Sequence, residues 1–347
     1  MTGWADVSRE LEVLAAQDRF SGSALVTRGG TTLLECGAGW ADRASGAPVT
    51  PATRFATASL SKMFTAAAVL SCVQGGMLEV GDRLVDLLPA GRRPRTMGDD
   101  VTVHQLLTHT SGIGDYAEED EELPGYVKDY ASLWVHRPVQ SMERPDDFLP
   151  LYADAAPVAT PGEAFHYSNA GYVLLGAMLE QVAGRPFADV VHERVFGPAG
   201  MGSSGYFRSD EARPDVAVGY LPRTTPGAPW RSNVFSVPVV GGGDGGAHVT
   251  ARDVDHFLRA VAPGDLLGPD LTARMLTRHV PVADGFDMGY GLLIRPESGG
   301  FTKDGGDPGV ETIARHMPVE DVSMVVLCNG EDMLGPVWEM LGDALGA

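Results

Sequence analysis

Lysine is nearly missing from this chain: of 26 cationic side chains only Lys62, Lys128 and Lys303 are lysine, and the rest are arginine. Arginine stays charged in proteins, whereas lysine shifts its pKa readily when desolvated, so a lysine kept here points to a site where an amine must lose its proton. Cysteine is equally scarce. Cys36, Cys72 and Cys328 are odd in number and without pattern, which suits a reducing compartment and excludes a cysteine-rich zinc module. Cations as a class are outnumbered by 46 Asp and Glu, for a formal net charge of −20, and this argues against nucleic acid or an anionic membrane as a partner. No uncharged apolar run approaches the roughly 18 residues of a membrane span. The start, Met1 to Asp6, has neither a basic segment nor an apolar run, so a cytoplasmic protein is expected. Lys128 reads as a surface residue, and the acidic run Glu118 to Glu122 as a solvated loop.

What is present is a chain of 347 residues, 44% hydrophobic and 21% charged, long enough for one large domain or two interlocked ones. Strand-like segments cluster at the two ends. Residues 23–27 and 31–35 flank Arg28-Gly29-Gly30 as a hairpin, and residues 289–294, 310–316 and 322–327 read as three further strands before a closing helix over 333–345. Helical periodicity appears between them, at 63–74, 103–107, 174–182 and 253–261. Sequential strands tend to neighbour each other, so the simplest α/β topology is a sheet assembled from both chain ends with a helical insertion. The expected division is residues 1–58 plus 246–347 for the sheet unit and 59–245 for a mainly helical unit. A site is then expected at their boundary.

Three short constellations carry chemistry. Ser59-Leu60-Ser61-Lys62 opens a helix-compatible run, and the spacing of three places Ser59 and Lys62 on one face. Ser59 would stand where free N–H groups favour developing negative charge, and burial would lower the pKa of Lys62 toward that of a usable base. The competing reading is a serine-rich helix start with a solvent-facing lysine. Tyr167-Ser168-Asn169 offers a phenol and an amide that could project into one cavity, or simply an N-cap before a helix. Lys303-Asp304-Gly305-Gly306 places a cation on an edge strand beside small residues, where a main-chain N–H could complete an oxyanion hole. The alternative is a hairpin turn.

Together and in this order the three resemble the S-x-x-K, Y-x-N and K-T-G signature of the serine beta-lactamase and penicillin-recognising superfamily. The stretches Leu106 to Gly112, Tyr167 to Gly176, Gly289 to Leu292 and Gly305 to Gly309 resemble its class C-like esterases and D,D-peptidases. The resemblance implies a beta-lactamase-like fold, mainly an antiparallel sheet flanked by helices, and an acyl-enzyme reaction on a small-molecule ester or amide without metal or organic cofactor. It implies Ser59 as nucleophile, Lys62 and Tyr167 as the proton-transferring pair, and Asn169 as the side chain holding Lys62 and the substrate. Lys303 becomes the supporting cation, with the backbone N–H groups of Ser59 and Gly306 as the oxyanion hole.

One departure concerns substrate choice. Asp304 stands where penicillin-recognising members usually carry a threonine that binds a substrate carboxylate, so neutral or cationic substrates are expected over beta-lactams. A hydrolase, a transacylase or cyclase using the same acyl-enzyme, and a non-catalytic acyl-ligand receptor all remain open. Asp304, Gly305 and His166 are candidates for the substrate pocket. Gly241 to Gly246 matches G-x-G-x-x-G, but the second strand and acidic partner of a dinucleotide site do not follow. In the resembled family, a glycine-rich turn here lines the floor of the site. His109 reads as structural, and the nine histidines show no metal-ligand spacing.

Overall fold

Two consecutive glycines in left-handed backbone, Gly29 at φ +56° and Gly30 at φ +76°, close the hairpin between strands Gly22–Arg28 and Thr31–Ala38. A two-residue turn with positive φ at both positions matches the twist of the strands it joins, which is why glycine is needed there. The computed structural model describes residues 3–346 apart from 124, 129, 226, 283 and 284. Met1 and Thr2, where the reading of the N-terminus begins, lie outside the described residues.

This hairpin forms one end of an eight-stranded sheet. The order runs Thr31–Ala38, Gly22–Arg28, Val322–Cys328, Val310–Met317, Phe301–Asp307, Leu293–Ile294, Asp287–Met288, Val280–Pro281, with every neighbouring pair antiparallel. The strands come from both ends of the chain, and helices flank them. Alternation along the central strands splits the apolar side chains between two faces. Ala24, Val26, Met324 and Val326 pack under the terminal helices Trp4–Ala16 and Leu334–Leu345 through Val7, Leu11, Val337 and Leu341. Leu25, Val325 and Leu327 face the opposite way, into one continuous apolar cluster with the central helices. Covered on both faces, strand Val322–Cys328 is buried at all its positions. Among the described residues, no helix is long and apolar enough to cross a membrane.

The innermost helix is Lys62–Gln74, buried all round from Lys62 to Leu70, as a helix apolar on every face must be. Helix Asn169–Ala183 packs against it. The latter starts five residues before the expected Leu174, because Ser168 caps it by accepting from Gly171 N at 3.1 Å. Gly243 lies between the two helices, where a Cβ would stand 2.1 Å from Tyr172 O.

One local expectation is corrected. Residues 289–294 are not one strand: Asp287–Met288 and Leu293–Ile294 are separate short strands, broken where Gly291 takes φ +73°. A Cβ on Gly291 would come within 2.6 Å of Lys62 O, so this turn abuts the start of the Lys62 helix. Lys303 to Asp307 follow the edge-strand reading and not the alternative of a turn. They form most of strand Phe301–Asp307, and the bend falls at Pro308 and Gly309, the latter at φ +74°. Pairing with Leu293–Ile294 stops at Thr302, so residues 303–307 form a local edge, against which the turn Ala58–Ser61 packs.

Candidate active site

Ser59 sits in the single 3-10 turn Ala58–Ser61 that leads into helix Lys62–Gln74. The turn is entered through strain, since Ala58 adopts φ +46°, which costs an L-residue roughly 1–2 kcal/mol. Several contacts hold it. Thr57 Oγ1 and Ser61 Oγ share a hydrogen bond, Thr57 Oγ1 donates to Ala247 O at 2.9 Å, and Ala247 N donates to Ser61 Oγ at 3.0 Å. Thr312 Oγ1, from the sheet, donates to Thr57 O at 2.8 Å. Gly305 allows the edge strand to close on the turn, because a Cβ there would lie 2.3 Å from Thr57 O and 2.8 Å from Ser59 N.

One turn along, Lys62 is fully buried. Its Nζ lies 3.0 Å from Ser59 Oγ and donates to Asn169 Oδ1 and Asp244 O, both at 2.7 Å. Burial pulls the Lys62 pKa down to about 8, with Lys303 adding to the effect and Asp244, Glu119 and Asp115 opposing it. The phenol of Tyr167 is pushed well above its ordinary range, chiefly by burial, with Ser59 pulling it partly back. Lys62 Nζ lies 4.9 Å and Lys303 Nζ 5.7 Å from the Tyr167 ring centroid. The five side chains singled out in the three motifs therefore meet in space, although they span 244 positions of the chain (303 − 59).

None of the three pocket candidates, Asp304, Gly305 and His166, lines the cavity that holds Ser59. Gly306 lines a cavity of about 950 Å³ together with Ser59 and Asn169, and so do Glu119, Asp244 and Asp307. Asp304 turns away from its lining. Its side chain is 62% exposed and pairs with its own neighbour, Lys303 Nζ to Oδ1 at 3.1 Å, which lowers its pKa. His166 is also absent from the lining, because its Nε2 is held 2.8 Å from the buried Glu118 carboxylate. The acidic run is thus only partly a solvated loop: Glu118 points inward and Glu119 Oε1 accepts from Asn169 Nδ2 at 3.2 Å. Lys128 is exposed, at the cavity rim.

Of four further contributors, Asp115 and Thr65 carried no usable local signal, while Asp244 belongs to the glycine-rich turn that the resemblance put on the floor of the site and His109 read as structural. Asp115, half-buried, accepts from the backbone N–H groups of Asn169 and Ala170 and so fixes the start of that helix. Its pKa is raised by burial despite those bonds. Asp244, in the glycine-rich turn, anchors Lys62 through its carbonyl while its carboxylate accepts from the Tyr116 hydroxyl. Thr65 ties the same turn down by donating to Gly243 O at 2.7 Å. His109, at φ +56°, stacks between Tyr167 and Tyr172 at 4.5 and 4.9 Å and accepts from Ser168 N at 3.0 Å. Burial holds its pKa well below the usual histidine value, which suits a neutral platform beside two lysines.

Residues 7–341 match the sequence profile of the beta-lactamase family. A penicillin-binding protein from Bacillus halodurans superposes with a TM-score of 0.85 at 36% identity, covering 95% of this chain and 99% of that one. The putative penicillin-binding protein PbpX of Bacillus subtilis is 27% identical over 84% of this chain, which spans 66% of that protein. Esterase EstB of Burkholderia gladioli is 34% identical over 55% of this chain and 48% of its own length. The chain belongs to the beta-lactamase family and has the fold of its serine hydrolases, whose members similar to this chain include penicillin-binding proteins and an esterase.

Proposed function

We propose that this protein is a serine hydrolase that cleaves a small ester or amide through an acyl-enzyme on Ser59. The observation that carries this is the buried Lys62 amine, 3.0 Å from Ser59 Oγ, with its pKa brought down to about 8. An amine in that state accepts the hydroxyl proton as Oγ attacks the carbonyl carbon. The C–O bond forms, the carbonyl oxygen takes up the negative charge, and the N–H groups of Ser59 and Gly306 receive it. Tyr167, whose high pKa keeps its proton on the phenol, passes a proton to the departing alcohol or amine as that bond breaks. Lys62 Nζ resupplies it. Water then adds to the acyl carbon and Ser59 leaves by the reverse path. Asn169 holds Lys62 in place, and Lys303 supplies positive charge beside the phenol.

Neutral or cationic substrates fit better than anionic ones, because acids outnumber cations on the cavity lining, with Glu119, Asp244 and Asp307 among them against Lys128, Arg208 and Arg213. The deciding experiment combines labelling and turnover. A fluorophosphonate probe should label the protein and fail to label Ser59→Ala, and short-chain aryl esters should turn over faster than a penicillin. Absence of labelling would sink the mechanism, and faster penicillin turnover would sink the substrate preference. Transfer of the acyl group to an alcohol or amine is the second reading, favoured by a cavity of about 950 Å³ that leaves room for an acceptor beside the acyl group. Acylated product formed with added amine would distinguish it from hydrolysis.

A further inference from the structure

Beside Ser59 stands a charge that the acyl-transfer steps leave unused. Along strand Phe301–Asp307 alternate side chains share a face, and residues 303, 305 and 307 are the less exposed set between 303 and 307. Gly305 is the member of this row that abuts the nucleophile's backbone. Its neighbours on the row are opposite in sign. Lys303 lies two residues to one side and Asp307 two residues to the other, each on the order of 7 Å along the strand.

Lys303 is already answered, since its Nζ donates to Asp304 O at 2.9 Å and pairs with the Asp304 carboxylate. Asp307 is not. It lines the cavity with Ser59 and Gly306, and among the described residues no donor is hydrogen-bonded to its carboxylate. The two acids that act on Asp307 have donors: Glu119 takes the Asn169 amide, and Asp244 takes the Tyr116 hydroxyl. Burial raises Asp307 to about 7, with Asp244 and Glu119 adding to the shift and Lys62 opposing it, and the Tyr130 phenol is a further titratable group that feels its charge. A carboxylate held this way regains its full charge when a cation binds it.

We propose that Asp307 is a specificity-determining residue that receives a protonated amine of the substrate, so that the preferred acyl donors bear an ammonium group close to the scissile carbonyl. This rests on the acyl-transfer reading above and narrows its substrate class. Lying along the strand, such a substrate sets its carbonyl over Ser59 and its ammonium against Asp307. Because the free carboxyl is neutral below about pH 7, preference for the cation grows as pH rises from about 6 to 8.

The test uses the full chain and an isosteric pair, the 4-nitrophenyl esters of β-alanine and butyrate. Wild type should favour the β-alanine ester in kcat/KM, and Asp307→Asn should lower that ratio by about tenfold or more, with Asp307→Glu restoring part of it. An unchanged ratio in Asp307→Asn, or a wild-type preference for butyrate, overturns the proposal. Should the variants fail to fold, competitive inhibition of wild type by β-alaninamide and butyramide decides it: the cationic amide must bind at least tenfold more tightly. Turnover of butyrate with no ammonium preference removes this inference alone. Failure of both esters together with failure of fluorophosphonate labelling removes the hydrolase reading, and this one with it.

Discussion

Lys62 is where a single atom's environment sets the chemistry. Its amine is buried with Ser59 Oγ, Asn169 Oδ1 and Asp244 O around it, and desolvation rather than any one charge brings its pKa to about 8. Acylation needs the neutral amine, so the rate of fluorophosphonate labelling is expected to rise with pH and level off above about 8. A profile flat from pH 6 to 9 would contradict Lys62 as the base. Lys62→Arg should lower that labelling rate by about 10²–10⁴-fold, because arginine keeps its proton. The same shift bears on stability. The folded-state pKa lies below the unfolded value of about 10.4, so between pH 8 and 10.4 the unfolded chain holds more protons and this group makes stability rise with pH. Serine and lysine three apart were legible as a pair in the sequence. Their burial was not, since two of the three groups around that amine come from residues more than 100 positions away, at Asn169 and Asp244.

The edge strand and the turn that carries Ser59 form the decisive contact between elements. Gly305 makes it possible, and Gly305→Ala is expected to destabilise the protein by about 1–3 kcal/mol and slow labelling of Ser59, because its Cβ would overlap Thr57 O and approach Leu60 N at 2.7 Å. Chemical denaturation and probe kinetics on the variant check this; unaltered stability would mean that the strand can retreat without cost. The sequence reading left Lys303 to Gly309 between strand and turn because glycine and aspartate dominate it, and both residues ordinarily mark turns. Here the glycines serve close approach of backbones instead. A local propensity cannot reveal that, because the atom they make room for belongs to Thr57. By contrast the hairpin at Arg28-Gly29-Gly30 and helix Val103–Leu107 were readable, since their determinants are turn glycines and a local capping box, Thr102 with Gln105.

At the scale of the whole molecule, a sheet built from both chain ends closes around helices whose apolar cluster is continuous with one sheet face. A net charge of −20 opposes that compactness through self-repulsion. Raising NaCl from about 10 mM to about 150 mM shortens the screening length from about 30 Å to about 8 Å, and the melting temperature is expected to rise. A fall would show that the surface ion pairs outweigh the repulsion. Acids outnumber cations on the cavity lining as well, and Asp244 and Glu119 lie close enough to Asp307 to act on it. Asp304, the residue that the sequence made the most telling for substrate choice, is occupied by Lys303 at its side, and the carboxylate of that strand which lines the cavity is Asp307.

The sequence by itself determined which residue types stand in the three motifs and the alternation that assigns strands and helices to the two ends and the middle, because these are properties of neighbours a few positions apart. Only the tertiary structure decided which of the motif residues are buried, which carboxylates already have donors, and that Asp307 lines the cavity without one. Those outcomes depend on contacts such as Thr312 with Thr57 and Asp115 with Asn169, and on how much water the closed fold leaves around each charge.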